Sequence, residues 1–534
     1  MIKLISNQVA AVSTVWQEFK NKFAHLRGGW LGMLGLLLII NTMVFAAILR
    51  SNTPFMDDIP RVFTNYADWY NEDDARHGIQ ALVFFFFGDH TIGDIAPLNQ
   101  FIAILVMSVA SLCLCTLFQK KVTYAGLSAA SLLSIFPYYA FNLIFRFDSL
   151  FMSLTALIAI LPLLFSKTRF FPFLGVISSL AIMSIYQLNI SVLLVTTFFY
   201  FTYQFFHQEL PVKTLLNRFL LYGLGVLVGI GVWFLLVNFQ TITLGDDGHH
   251  NISLSYLPAN LPYHLKNIFW QWQPNLIGPL LIISGATFVI STIYSGLKAF
   301  FSSKFPAKKY QYLASIGLLL FTAVIGIGLS IFVQLVTKAH FTPYYLMGFN
   351  TYLAVVLLIV SEQVSAYPKF FRVTWQAFLV YLILQAGIVS TMIGNIQAAN
   401  FDFYMQEAKS AADAIKERPW FDPYRKYSVV NSWYFGRQTN NAPYTTIGLI
   451  MKYPIVDFIT YSDTSAFLLY YLRNFDPVHD MPDDAVYVET IRSTATYDLE
   501  VYDRGWWRMV YFNHHATASG ILHPDYYLHP DELL

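Results

Sequence analysis

Asp57 and Asp58 stand side by side just past the end of the first long apolar run, with Arg61 three residues further on. Adjacent carboxylates can divide labour: one ionises as a base while the other positions an acceptor or carries a raised pKa. Transfer of a sugar to a hydroxyl needs such a base, because the hydroxyl must lose its proton as it attacks. The planar fork of Arg61 suits either a carboxylate or a phosphate. The same residues also read as an acidic cap on an interfacial helix after Pro60. Residues 51–94 gather Asp57, Asp58, Asp68, Glu72, Asp73, Asp74, Asp89 and Asp94 in a chain otherwise poor in charge. Charges beside a membrane helix are costly unless they are paired or used.

A second group lies at 145–149, Phe-Arg-Phe-Asp-Ser, between two apolar runs. Arg146 could grip the phosphate of a lipid carrier through two oxygens, or pair with Asp148 as a structural ion pair. Tyr186, Gln187 and Asn189 bring uncharged donors and acceptors to the next junction, either as sugar contacts or as helix–helix glue. Lys338 and His340 close a later run as phosphate ligands or interface anchors. Asp246-Asp247 and His249-His250 have metal-ligand chemistry but match no spacing motif, so a solvated Gly-rich loop is the better reading. Asn251-Ile-Ser253 matches a glycosylation acceptor pattern. Trp506 and Trp507 could stack on sugar rings or fill a core. No phosphate loop, HExxH or nucleophile elbow is present.

The elements that must position these groups are membrane helices. The chain has 534 residues, 56% hydrophobic and 12% charged, with mean hydropathy +0.49; soluble domains carry roughly 25% charge. Aromatic residues make up 17% of the chain, as suits rings at membrane interfaces. The net charge of +1 argues against a nucleic-acid partner. Cys113 and Cys115, at i and i+2, face different sides of a helix and do not suit a disulfide.

Apolar runs long enough to span occur at 29–49, 97–118, 122–141, 150–165, 170–186, 190–206, 215–239, 276–297, 313–336, 344–364 and 375–394. No cleavable signal peptide is visible, and the first run reads as a signal anchor behind an amphipathic segment 1–28. Residues 170–206 could be one tilted helix or two. With two, and with a cytoplasmic N-terminus, Lys120, Lys121, Lys167, Arg169, Lys213, Arg218, the lysines at 298–309, Lys369 and Arg372 all fall on the cytoplasmic side. One helix would put the 298–309 lysines outside. The two-helix reading therefore gives eleven spans and an outer C-terminus. Residues 79–88 are apolar but too short to span, and read as lying in the interface. After 394 come an amphipathic helix over 401–417 and β-prone runs at 427–433, 455–461, 485–491 and 499–512, which predict a small α/β domain.

The stretch Tyr138 to Leu154, with Phe145-Arg146-Phe147-Asp148-Ser149, followed by the Tyr186-Gln187 pair, resembles the Gtr type II glucosyltransferases, polytopic bacterial proteins of O-antigen modification. The Asp57-Asp58 loop is also similar to that family. The resemblance covers roughly residues 30 to 390. It implies a GT-C-like fold for that part, which the residue reading lays out as about eleven transmembrane helices over 29–394 with an outer loop 51–96; the periplasmic α/β domain read over 395–534 matches the family only in size and placement. It implies a bacterial inner-membrane enzyme that takes glucose or a related hexose from a polyprenyl-phosphate donor. The acceptor would be an O-antigen or another lipid-linked surface glycan, and the linkage would invert in one displacement. Asp57 or Asp58 maps to the base, and Arg61, Arg146, Lys338 and His340 are the donor-phosphate candidates. Asp148, Tyr186, Gln187 and Asn189 are the substrate candidates. No cofactor or protein metal site is firmly implied, and a divalent-metal requirement is open. A donor-synthesising transferase and a donor flippase are the expected functional partners. A polysaccharide polymerase or ligase, or a lipid-linked sugar flippase, shares the topology; a transporter would more often show repeats and broken helices at mid-membrane.

Overall fold

The computed structural model describes residues 2–55, 58, 76–88, 91–207, 211–239, 253–270, 277–302, 306–336, 343–419, 426–430, 486–492, 497–504 and 507–514. Helix α1 (Ile2–Phe23) precedes α2 (Gly29–Val44) and the short α3 (Ala46–Ser51). Then come α4 (His77–Phe87), α5 (Leu98–Phe118), α6 (Tyr124–Ile135), α7 (Pro137–Leu143), α8 (Ser149–Ile160), α9 (Phe171–Ile185), α10 (Ile190–His207) and α11 (Val212–Phe239). The helical part continues with α12 (Leu257–Trp270), α13 (Ile277–Ser302), α14 (Pro306–Ser330), α15 (Phe332–Val336), α16 (Met347–Val364) and α17 (Lys369–Lys416). Among the described residues, seven helices are long and apolar enough to cross a membrane: α5, α10, α11, α13, α14, α16 and α17 each contain such a stretch. The chain is a helical membrane protein. By composition α5, α10 and α16 form its buried centre, while Leu227, Ile290, Val324 and Leu384 on outer helices are more than half exposed. That is the pattern of a bundle whose outer faces meet hydrocarbon.

Four of the expected spans are shorter or broken, two of them at a proline. The run 122–141 divides at Phe136 because Pro137 has no N–H to donate and starts a new helix. The Nδ2 of Asn350 on α16 donates to the carbonyls of Leu133 and Phe136, at 3.4 and 3.2 Å, where the ladder is interrupted. The run 150–165 tightens into a 3₁₀ turn over Leu161–Phe165, with Pro162 at its start. The run 29–49 divides at Phe45. The stretch 170–206 is two helices, since Tyr186 takes an extended conformation between α9 and α10. Cys113 and Cys115 are free and buried in α5.

Polar side chains tie the helices together. Asn41 Nδ2 donates to Ser108 Oγ at 2.9 Å and its Oδ1 accepts from Ser134, linking α2, α5 and α6. Helices α9 and α11 approach each other closely. A Cβ on Gly225 would run into the Pro172 carbonyl, and one on Gly229 into Ser179 Oγ and the Val176 carbonyl. This is a small-xxx-small contact, and Ser179 Oγ also donates across it to Val226 O at 3.0 Å.

Helix α12 docks on α15. Asn260 Nδ2 donates to Gln334 O at 3.0 Å, and Ser253 N to Val336 O at 2.7 Å. His264 is wholly buried beside them. Burial pushes its pKa down to about 4, a backbone contact with Gln334 pulling weakly the other way.

A second unit contains a four-stranded sheet of β1 (Lys426–Val430), β2 (Val486–Arg492), β3 (Tyr497–Arg504) and β4 (Trp507–His514), in the order β1-β4-β3-β2. Strand β1 runs parallel to β4, and the other pairs are antiparallel. The β-prone run at 455–461 lies outside the described residues.

Two outcomes follow from the helical packing. Gly229→Val should destabilise the bundle by about 1–3 kcal/mol through overpacking, whereas Gly231→Val, with nothing within 4 Å, should be close to neutral; thermal unfolding in detergent compares them. His264 is neutral when folded but protonates below ~6.5 when unfolded, so its contribution is full above that pH. As pH falls from there toward about 4, the unfolded chain binds the extra proton and stability drops by up to roughly 3 kcal/mol. Melting temperature against pH for the protein and for His264→Gln should show a flatter acid limb in the variant.

Candidate functional site

The turn between α7 and α8 carries Arg146 and is built from side-chain amides. A helix C-terminus leaves carbonyls without intrahelical donors. Asn99 Nδ2, in the first turn of α5, donates to the carbonyls of Arg146 and Phe147, both at 2.8 Å. Gln100 Nε2 donates to Leu143 O at 2.9 Å. With its backbone fixed, the Arg146 guanidinium reaches Asn52 and Asp94 among the described residues. Its Nη1 donates to Asn52 O at 2.7 Å. Its Nε donates to Asp94 Oδ1 at 3.2 Å and its Nη2 to Asp94 Oδ2. Asn52 sits at φ +44°, a left-handed conformation that Asn tolerates. Asp94 also accepts from Ala96 N at 3.1 Å. The Arg146 and Asp94 side chains are 11% and 29% exposed. The ion pair expected within the turn, Arg146 with Asp148, is therefore made with Asp94 instead, from the acidic stretch after the first apolar run. Asp148 is buried at the N-cap of α8, where its carbonyl accepts from Met152 N at 3.0 Å.

The second junction lies alongside. Phe145 meets Tyr344 edge-on at 5.1 Å between ring centroids, and Tyr344 meets Tyr345 at 4.7 Å. Tyr186 Oη donates to the Tyr344 carbonyl at 3.5 Å. The Arg76 guanidinium stands 5.4 Å over the Tyr186 ring. A Cβ on Gly78 would strike Ile185 and Ser184, so α4 packs directly on the end of α9. Burial lowers the pKa of His77. Helix α4 turns Phe84, Phe85 and Phe86 outward, each more than half exposed. Gln187 opens the 3₁₀ turn here and is half-buried.

Asn189 joins two helices. It is fully buried, and its Nδ2 donates to Met152 O at 2.7 Å and Thr155 Oγ1 at 2.8 Å. It binds α8 to the start of α10, as helix–helix glue.

Asp58 is fully buried. Its Oδ2 accepts from Phe55 N at 3.2 Å, and its own N–H donates to Phe55 O at 2.9 Å. The carboxylate thus folds back onto the Phe55 backbone, and Gln397 Nε2 donates to the preceding Thr53 O at 3.3 Å. Asp57, Arg61, Lys338 and His340 lie outside the described residues, as do Trp506 and the Asp246–His250 loop. No group of three or more His, Cys, Asp or Glu is arranged to hold a metal ion among the described residues.

Arg76, Asn99, Gln100 and Tyr344 belong to this constellation and were not singled out from sequence. Asn99-Gln100 opening an apolar run was the available signal: two amides in the first turn of a membrane helix need partners.

A family model described as Glucosyl transferase GtrII matches residues 46–390, which takes in Asp58, the Arg146 turn and Tyr186-Gln187. No curated protein and no solved structure matches the chain.

Asp94→Asn and Arg146→Gln should each lower the melting temperature, and the double variant should fall short of the sum by a coupling of about 1–2 kcal/mol. Strict additivity in a double-mutant cycle would show that the pair does not hold the turn.

Proposed function

The chain belongs to the GtrII glucosyl transferase family, and on that premise we propose that it transfers a glucosyl group from a polyprenyl-phosphate carrier to a surface glycan such as O-antigen. The fold is then of the GT-C type. The seven long spans and the four shorter or broken ones, at 29–49, 122–141, 150–165 and 170–186, together make eleven crossings of the bacterial inner membrane. The N-terminus is cytoplasmic, the Arg146 turn faces the periplasm, and residues 395–534 form a periplasmic α/β domain that helps hold the acceptor. On that side a nucleotide sugar is not available, and a lipid-linked donor is.

The observation that carries this reading is the family match across the Arg146 turn, with Arg146, Arg76 and a belt of aromatic rings gathered at one end of the bundle. Arginine forks bind phosphate oxygens, and aromatic faces stack on sugar rings. The Asp94 carboxylate holds the Arg146 fork in place, and a phosphate offers the same paired oxygens to it. Arg61, Lys338 and His340 remain proposed helpers in holding that phosphate, and Gln187 and Asp148 proposed contacts near the sugar. The base is assigned to Asp58 or its neighbour Asp57, from the family's acidic first outer loop. It takes the proton from an acceptor hydroxyl, whose oxygen bonds to the anomeric carbon as the bond to the polyprenyl phosphate breaks. One such displacement inverts the linkage.

Asp57→Asn and Asp58→Asn test the assignment, with transfer of labelled glucose in membranes as the readout. One of the two variants should lose at least about 100-fold in rate with unchanged membrane insertion. Full activity in both single variants and in the double variant would remove the base from this loop. Arg146→Lys should retain insertion but weaken use of the donor, seen as a raised KM for the polyprenyl-phosphate sugar.

A further inference from the structure

At the end of the bundle away from the Arg146 turn there is an open cavity of about 290 Å³. Helix α5 runs between the two places, and the 17 residues from Asn99 to Thr116 set them about 26 Å apart. The cavity lies between α1, the C-terminal end of α5, the 3₁₀ turn at 161–165 and α10. Its construction starts from Lys22 on α1. The Nζ of Lys22 donates to Thr116 O, and to Gln119 O at 2.9 Å, carbonyls at the end of α5 that lack intrahelical donors. This clamps α1 over the cavity. On the inner wall Ser166 Oγ and Tyr200 Oη hydrogen-bond at 2.5 Å. Beside them Gln204 is 6% exposed, and its Oε1 has no hydrogen-bond partner among the described residues. A buried amide oxygen without a donor is costly, and Gln204 lines the cavity, where a donor on a ligand would satisfy it.

The rim supplies charge. Lys120 is exposed, and Lys167 reaches Glu18 only at 3.8 Å, with both of those side chains more than half exposed. Such an exposed pair holds its members weakly, so the lining carries a positive balance. Beside α1, Trp16 packs on Phe19 and Trp30 at 5.4 and 5.1 Å, and Trp16 is 42% exposed. Half-exposed tryptophans sit at the headgroup level of a bilayer. The volume lies at the low end for ligand sites, enough for a headgroup and not for a whole lipid.

We propose that this cavity is a binding site for a phosphate ester carrying a free hydroxyl, with Lys120 and Lys167 holding the phosphate and Gln204 Oε1 accepting from the hydroxyl. The interfacial aromatic group makes an anionic phospholipid with a polyol headgroup the first source. A soluble polyol phosphate has the same chemistry and is the second. The site is separate from the donor-phosphate residues proposed above and does not depend on their assignment. Its occupant would fix the amphipathic helix α1 against the bundle.

The test uses the full chain, purified in detergent and stripped of lipid, with thermal unfolding as the readout. Dioleoylphosphatidylglycerol, dioleoylphosphatidylcholine and sn-glycerol 3-phosphate are titrated separately. Phosphatidylglycerol should raise the melting temperature and phosphatidylcholine should not. In K120E/K167E the concentration needed should rise at least tenfold. K213E, which changes an exposed lysine outside the cavity, should respond like the unaltered protein. A shift with sn-glycerol 3-phosphate that is lost in K120E/K167E supports the site with a soluble ligand. No shift with either phosphate ester, or an equal response in K120E/K167E and the unaltered protein, overturns the proposal, as does an equal loss in K213E. Because all three lysines are exposed, these variants fold irrespective of the outcome. Gln204→Leu adds a check on the hydroxyl: it should weaken phosphatidylglycerol more than dioleoylphosphatidic acid, and equal weakening counts against the role of Gln204.

Discussion

Backbone carbonyls freed inside an apolar bundle must find donors, and this constraint governs the rest of the structure. Hydrocarbon offers none, so each interrupted helix needs a side chain to complete it. The protein meets the need with amides and cations from neighbouring helices. Asn350 serves the break at Pro137, Asn99 and Gln100 serve the turn at 143–147, and Asn189 braces α8 beside the break at Tyr186. Lys22 serves the end of α5, and Arg218 Nη1 donates to Ser166 O at 3.0 Å. Unbroken helices would need none of this. Arg146 and Tyr186 stand at such breaks, where a turn can present a side chain that a continuous span would bury or aim at lipid.

The two ends of α5 show how one helix serves two junctions. Its first turn holds the carbonyls behind Arg146, and its last turn receives Lys22. Its middle is locked to α2 and α6 through Asn41, Ser108 and Ser134. A shift of α5 along its axis would disturb both ends at once. The bidentate grip of Asp94 on Arg146 adds a further constraint at the 143–149 turn, since it fixes the plane of the guanidinium as well as its position.

Much of this was legible in the sequence, for identifiable reasons. Hydropathy runs find helices because burial in lipid depends on composition over some twenty residues. The same averaging hides the breaks, since one proline at 137 or 162 hardly changes a window but removes a hydrogen bond. The turn at 145–149 and the pair at 186–187 stood out because a charge or an amide among apolar neighbours is costly. Their partners did not stand out. Asp94 is 52 residues from Arg146, Asn99 is 47 from the carbonyl it caps, and Asn350 is 214 from Phe136. Pairings at such separations are fixed by packing and leave no local pattern. The same limit explains Asn189, whose type fits sugar recognition and helix packing equally until its neighbours are known, and Arg76, which is set over Tyr186 only by the docking of α4 on α9.

The account places chemistry on a lipid-linked donor, with inversion at the anomeric carbon. The most direct measurement supplies membranes containing the protein with labelled glucose either on polyprenyl phosphate or on a nucleotide, and determines the anomeric configuration of the product by NMR. The account predicts label in the glycan from the polyprenyl-phosphate donor alone, with the linkage inverted relative to that donor. Transfer from the nucleotide sugar without a lipid intermediate, or retention of the donor configuration, would contradict it.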